Sequence, residues 1–406
     1  EIQAYLEQCA TTYNIRPHLR FGTTVTSIRF VTETNKWEVS TANQGQCFAD
    51  IVISATGPLS QPKTPAIAGL ENFGGTVFHS AKWRHDHPLA GQQIAVIGTG
   101  ASAIQFVPRI ATQARRLFVY QRSAPWLLPR RDRRFSPTER KRLRQRKWLT
   151  WAKRQYIYFT QELLAFGFLG RGAVARGFRK ATEKYLVQSV PDSQFRARVT
   201  PHYAPGCKRL LISNEWYPAL QRPNVELVTA PIEAIVPTGI VTADGETRAC
   251  DTIILATGFR ATEFIAPMKV VGRDGADLAT TWSNGAKTHL GITVSGFPNF
   301  FLLVGPNTGL GHNSIVFMIE SQLHYIIQAI QSLDARSASA IDLKPERQQT
   351  SYNRVQRKLR DTVWQSGCTS WYLDADGRND TIWPGFTIEY WWRTRRFRLS
   401  DYRLLP

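Results

Sequence analysis

The sequence predicts an α/β fold with two units of parallel sheet, and three observations carry that expectation. The first is the stretch 93–122, QIAVIGTGASAIQFVPRIATQARRLFVYQR. It holds an apolar run at 94–97, then Gly98-Thr99-Gly100, helical spacing over 101–111, and a second apolar run at 117–120. That order reads as strand, tight turn, helix, strand. The second is an internal repeat. Residues 50–57, DIVISATG, have a near copy at 251–258, DTIILATG, and each copy follows a β-rich run, at 25–28 and 232–235. A repeat of this kind marks two related units. The third is FPNFFLLVG at 297–305, which runs through PNTGLGHNS into helical spacing over 315–332.

The turn at 98–100 has a chemical reading. Two glycines permit a tight turn and let the backbone approach a pyrophosphate. The helix start that follows offers unpaired N–H groups and the positive end of its dipole. Ala103 stands at the third-glycine position, where a small residue is enough for close helix–strand packing. A GxGxxA set between a strand and a helix reads as a dinucleotide site, so the units are Rossmann-like. The end of the second strand selects the dinucleotide. An NAD site usually places an acid there, about 20 residues past the first glycine. Here the run ends Gln121-Arg122-Ser123, without an acid, and a guanidinium suits a 2′-phosphate. NADPH is expected over NADH; the bland alternative makes Arg122 a plain surface arginine. The glycine turn serves the second unit, and none lies ahead of the first. The sequence is therefore expected to be an N-terminally shortened piece of a longer two-nucleotide protein.

Taken in order, 2–13 reads as an amphipathic helix, 25–30 and 37–40 as a hairpin, 49–54 as a buried strand, and 58–65 as a Pro-rich connection. FGGTVFHSAKW at 73–83 reads as a linker with a turn. His79 and Trp83 are four apart and would share a face on a helix, and a lone histidine is more often structural than catalytic. Residues 136–190 form a mostly helical insertion. Within it, 156–169 is apolar, broken by Gln161 and Glu162, too short to span a bilayer, and read as a buried helix, with membrane contact the alternative. In GCKRLL at 206–211, Lys208 and Arg209 are neighbours whose side chains point apart, so they suit different ligands. Turn N–H groups within 306–314 could hold an electron-rich ring or a phosphate. Phe386, Tyr390, Trp391 and Trp392, with Arg393, Arg395, Arg396 and Arg398, suggest a surface that packs on another domain or a partner.

With 406 residues, 43% of them hydrophobic, the chain is too long for one ordinary core, and two domains are expected. Its five cysteines are scattered without CxxC or a Cys/His cluster, which points to neither a disulfide framework nor a metal site. A reducing, cytoplasmic setting fits, and no signal peptide is visible. Half of the net charge of +20 comes from 130–154, with twelve Lys/Arg against Asp132 and Glu139. Such a run reads first as solvated helix faces, and second as a face that gathers NADPH or touches anionic lipid. No nucleic-acid-binding motif accompanies it, so no nucleic-acid partner is expected.

The pattern Phe73-x-Gly75-x-x-x-His79-x-x-x-Trp83 resembles the fingerprint of the class B flavin monooxygenases, of the Baeyer–Villiger type within the flavin-containing monooxygenase superfamily. The resemblance spans nearly the whole chain. Trp83 is the form typical of Baeyer–Villiger enzymes, whereas Phe or Tyr marks the heteroatom-oxygenating members. Arg84 departs from the pattern, which has Pro or Asp there. The resemblance implies an FAD domain in two pieces with an NADPH domain inserted between them. Residues 1–70 would be the first FAD piece, without its glycine loop. Residues 85–258 would bind NADPH and carry the insertion at 136–190, and 259–406 would complete the FAD domain.

By the same resemblance, Gly98, Thr99, Gly100 and Ser102 would hold the NADPH pyrophosphate, and Arg122, Ser123 and Lys208 its 2′-phosphate. Arg209 matches the catalytic arginine, and His79 the fingerprint histidine, which acts as a hinge rather than a proton carrier. Thr56 and Gly57, with Gly305, Pro306, Asn307 and Thr308, would lie against FAD. The implied reaction takes a small ketone or other organic substrate and O2, passes through a flavin peroxide, and sets one oxygen beside the carbonyl to give an ester or lactone. A permanently charged Arg209 in a water-poor site would keep a peroxyanion deprotonated and stabilise a tetrahedral oxyanion. N- or S-oxygenation is the alternative chemistry, and a non-catalytic NADPH-binding remnant the alternative role. Lacking the first glycine loop, this chain is expected to bind FAD weakly and to be inactive in isolation.

Overall fold

The computed structural model describes residues 1–406 except Arg131, Gly170, Arg171, Thr369 and Ala375. Arg131 of the basic stretch and Gly170 and Arg171 of the insertion thus lie outside the described residues. The nucleotide-binding pattern builds a five-stranded parallel sheet in the order Val225–Val228, Arg116–Tyr120, Gln93–Ile97, Thr252–Leu255, Thr76–His79. Ile94, Val96 and Leu117 are fully buried under helices on one face, and Ala95, Ile97 and Phe118 pack on the other against Ile235 and Ile240 of the antiparallel strands Ile232–Val236 and Gly239–Thr242; a parallel sheet covered on both faces has strands that are continuous apolar runs. The Ala103–Ile110 helix packs on this sheet through Ala103, Ile104, Val107 and Ile110. From Gln93–Ile97 the chain crosses to Arg116–Tyr120 on one side, while Thr252–Leu255 flanks the other. Gly98 therefore stands at a topological switch point, where open α/β sheets bind their ligands.

Two sequence expectations change here. Residues 73–83 are not a linker: Thr76–His79 is the edge strand of the sheet, paired parallel with Thr252–Leu255. Only four residues long and introduced by Gly74-Gly75, it shows too little alternation to be read locally. His79 and Trp83 do not share a helix either, since His79 ends this strand and Trp83 follows a 3-10 turn in extended conformation.

Val25–Val31, Lys36–Thr41 and Gly45–Ala49 form an antiparallel meander, and Lys269–Val271 adds parallel to Val25–Val31. Trp37 anchors it, fully buried, with its indole N–H donating to Pro298 O at 2.7 Å. Val52–Ser54 pairs parallel with Phe300–Leu302, so the turns after 54 and 302 leave from one edge. Residues 49–54 shorten to these three, and Ile53 is 40% exposed, so this strand is not buried throughout. The Ile2–Thr12 and Ile315–Asp334 helices match expectation.

The insertion is helical over Pro137–Gln145, Lys147–Leu163, Ala165–Phe168 and Gly172–Ser189. The stretch 156–169 is not one buried helix. It breaks after Leu163, and Tyr156 and Phe159 are 71% and 60% exposed. Glu162 takes the inner side instead. Buried, it accepts hydrogen bonds from Thr387 Oγ1 at 2.8 Å, Asn313 Nδ2 at 2.7 Å and Ile388 N–H at 3.1 Å. A carboxylate with that many donors turns the helix so that its aromatic row points outward. The C-terminal aromatics divide too: Tyr390 is fully buried and donates to Leu290 O at 2.6 Å, while Trp392 is 70% exposed.

The cysteines also require a correction. Cys207 and Cys368, 161 residues apart, form a disulfide; pairing across such a separation leaves no trace in local spacing. Among the described residues no helix is long and apolar enough to cross a membrane.

Three imidazoles, His79 and His312 buried and His289 half-buried, set an acid limit on this fold. Burial pushes His289 down to about 4, helped by the charges of Arg393 and Arg347. Burial also lowers His79 and His312. These groups stay neutral in the folded chain but charge near pH 6.5 once unfolded. Stability is therefore whole above about pH 6.5 and falls as the pH drops towards 4, by up to about 1.4 kcal/mol per pH unit for each histidine still neutral in the fold. Urea unfolding at pH 7 and pH 5 checks this, and His289→Gln should flatten the dependence.

Candidate active site

The glycine turn is held by its neighbours on three sides. Gly98 has φ +112°, and a Cβ there would lie 2.5 Å from Ala256 O. The turn thus rests on the end of the neighbouring strand and admits no side chain at that point. Gly100 has open space where its Cβ would be. The following helix closes first on Ile104 N–H to Gly100 O at 3.1 Å, which leaves the N–H groups ahead of it for a ligand. Ser102 precedes that helix, and its hydroxyl makes no capping bond. Thr99 is committed otherwise: its hydroxyl donates to Ser123 O at 3.1 Å and ties the turn to the loop after Arg116–Tyr120.

That bond draws the expected 2′-phosphate residues together. Lys208 Nζ donates to Ser123 Oγ at 2.9 Å and lies 4.7 Å over the Tyr203 ring. Burial lowers the Lys208 ammonium, and the neighbouring charge of Arg122 lowers it further. Tyr203 is itself pushed up to about 12 by burial, and Trp126 Nε1 fixes its backbone by donating to Tyr203 O at 2.7 Å. One cation bonds the serine, the charge of the other acts on it, and neither has an ion pair among the described residues. A phosphate dianion answers that arrangement.

Arg209 is the exposed neighbour of half-buried Lys208. The two act in different places: Lys208 turns to Ser123, and the charge of Arg209 acts on buried Tyr372. Cys207, just before them, is bonded to Cys368. The segment carrying both cations is therefore fixed covalently to a distant part of the chain, a constraint sequence reading missed.

The residues expected against FAD fall into two groups. Gly57 has φ +69° with open space at its Cβ position. Thr56 Oγ1 donates to Phe264 O at 3.2 Å. Gly305, Pro306, Asn307 and Thr308 are all buried. Asn307 Nδ2 donates to Asn379 O at 2.9 Å, and Thr308 Oγ1 to Gly305 O at 2.6 Å. A Cβ on Gly305 would lie 2.3 Å from Gly291 O. These side chains build the turn itself, so a ligand would meet its surface rather than their polar ends.

His79 is buried, and its Nδ1 accepts from Ala81 N–H at 3.1 Å, which caps the turn beyond the strand. Its Nε2 faces the backbone of Gly258 without a full hydrogen bond among the described residues, and its ring lies 5.8 Å from that of Phe259. Trp83 packs edge-on against Phe78 and Phe106, at 5.3 and 5.1 Å. Gly75 is required because a Cβ would lie 2.3 Å from Asp251 O. Arg84, the departure from the fingerprint, pairs with Asp86 at 2.7 Å on the surface.

A parallel sheet with a glycine turn at its switch point and an anion-seeking cluster beside it defines the class: a nucleotide-dependent α/β protein. Comparison narrows this. Residues 1–148 match the flavin-binding monooxygenase-like family model. The chain is 44% identical over its whole length to a Baeyer–Villiger monooxygenase of Streptomyces coelicolor, covering 78% of that protein. It is 42% identical to one of Pseudomonas aeruginosa, covering 77%. Among solved structures, oxidized steroid monooxygenase bound to NADP superimposes with a TM-score of 0.87 at 30% identity, covering 100% of this chain and 84% of that one. OTEMO in complex with FAD and NADP gives 0.88 at 26%, covering 99% and 84%. The chain belongs to the flavin-dependent monooxygenases of the Baeyer–Villiger type.

The close approach at Gly98 gives a direct test. Gly98→Ala adds a methyl group against Ala256 O on a backbone that L-residues rarely adopt, and should cost about 1–3 kcal/mol. Denaturant unfolding reads the loss.

Proposed function

We propose that the chain is an NADPH- and FAD-dependent monooxygenase that inserts one oxygen atom of O2 beside a ketone carbonyl to give an ester or lactone. The observation that carries the reading is the pairing of Lys208 with Ser123 at 2.9 Å beside the charge of Arg122, with Arg209 as the next residue. It fits NADPH on physical grounds. Two cations without an acid match the 2′-phosphate, and the free N–H groups after Gly98 match the pyrophosphate. The surface of the 305–308 turn and the open side of Gly57 are where the flavin would rest. Residues 85–258 then serve NADPH, with 1–70 and 259–406 serving FAD.

When bound, the flavin supplies the activation of O2; the chain supplies binding, orientation and charge. Gly98 and Gly100 let the pyrophosphate come close to the backbone, and Ser102 adds a free hydroxyl. Lys208 and Arg122 grip the adenosine end and distinguish NADPH from NADH. Arg209, turned the other way, holds a permanent positive charge where negative charge develops on oxygen, and needs no proton transfer to do so. His79 holds its strand end and the turn after it, as a positioning residue whose neutral ring avoids a buried charge.

Two substitutions separate these roles. Lys208→Ala should weaken NADPH binding about 10- to 100-fold and leave NADH nearly unchanged, read by titration with each cofactor. Arg209→Ala should cut product formation about 100-fold or more with a smaller change in NADPH affinity. Product mass from a ketone panel, set beside thioethers and amines, tests the reaction itself: ester or lactone from ketones supports it, and oxygenation of sulfur or nitrogen alone overturns it.

A further inference from the structure

The Lys147–Leu163 helix carries an apolar row that is mostly exposed among the described residues. Trp148, Ala152, Tyr156, Phe159 and Leu163 recur at intervals of three or four and so share one face. Trp148, Tyr156, Phe159 and Leu163 are 63%, 71%, 60% and 59% exposed. Packing is done by other residues of the helix: Glu162 is buried among its donors, and Tyr158 donates to or accepts from Thr387 Oγ1 at 3.0 Å and meets the Phe317 ring at 5.2 Å. A row of four large apolar side chains in water is what monomeric surfaces avoid.

Charge is gathered at the start of the same row. Arg140, Lys141, Arg142, Arg144, Arg146 and Lys147 immediately precede Trp148, and none has an acidic partner among the described residues. Nearby acids are engaged: Glu139 pairs with Arg133 at 2.7 Å, and Glu320 with Arg154 at 3.8 Å. Lys153 extends over the Phe135 ring at 3.8 Å, covering an aromatic with its charged end.

We propose that this face docks on the surface of an anionic phospholipid bilayer. The helix has 17 residues and lies along the interface rather than across it. Trp and Tyr settle at headgroup level, Phe and Leu sink below it, and the cations meet the lipid phosphates. The chemistry favours lipid over other occupants. A nucleic acid would use the cations and leave the apolar row wet. A second copy of this chain would bring one strongly basic stretch against another and be repelled.

Co-sedimentation of the full chain with phosphatidylcholine vesicles, with and without phosphatidylglycerol, tests this. Binding should be about tenfold or more stronger on the anionic vesicles and weaken as salt rises from about 0.1 to about 0.5 M. A Lys141→Glu/Arg144→Glu/Lys147→Glu variant and a Trp148→Gln/Tyr156→Gln/Phe159→Gln variant should each lose about tenfold or more. Circular dichroism and NADPH affinity should be unchanged in both. Should the aromatic variant fail to fold, the charge variant decides alone. Equal binding to both vesicles overturns the proposal. So does an aromatic variant that binds anionic vesicles like the parent, which would mean charge alone, or one that converts a dimer to a monomer, which would make the face a subunit interface.

Discussion

The arrangement of the nucleotide site depends on where one strand is inserted. Thr252–Leu255 comes some 150 residues after Gln93–Ile97 in the chain, yet it lies between that strand and Thr76–His79. Asp251 sets its register. Its Oδ2 accepts from Gln93 N–H at 2.7 Å, its backbone N–H donates to Gln93 O at 2.8 Å, and its backbone O accepts from Thr76 N–H at 3.0 Å. Thr252 adds a bond to Gln92 Oε1 at 2.5 Å. A slip of one residue would invert every side chain of this strand and move Ala256 from beneath Gly98. The fingerprint glycine Gly75 belongs to the same joint, because Asp251 O occupies the space a Cβ would need.

Function is then distributed over segments that share little chain. Gly98 follows one strand, Arg122 and Ser123 the next, and Lys208 and Arg209 lie beyond the helical insertion. Thr99 links the first pair of segments and Lys208 the second. Both links end on Ser123, one on its carbonyl and one on its hydroxyl. This residue thus senses the position of the turn and of the cation segment together, which the sequence pattern alone would not assign to a serine.

Much of this was legible beforehand, and the exceptions have physical causes. The strand–turn–helix at 93–122 was readable because its signals are local: a continuous apolar run, glycines, helical spacing. The repeat of DIVISATG as DTIILATG exposed the second unit, although the two copies enter different sheets. The edge strand at 76–79 was too short and too glycine-flanked to show its period. Residues 156–169 misled because composition counts apolar residues without saying which way they face; one buried carboxylate, Glu162, decided that orientation. The sequence marked 305–308 as a turn but not how it is held: Asn307 spends its amide on the backbone of Asn379 and Ile382, and Thr308 its hydroxyl on Gly305. The disulfide could not be read at all, since nothing local distinguishes Cys207 and Cys368 from the free cysteines.

That bond has a mechanical consequence. It joins the segment bearing Lys208 and Arg209 to the C-terminal part of the chain at a single covalent point, a residue away from the cations that handle the nucleotide. Parts joined in this way can turn about the join but cannot draw apart there. Whatever else rearranges, Lys208 and Arg209 stay within one or two residues of that join, and so stay beside the segment that carries Cys368.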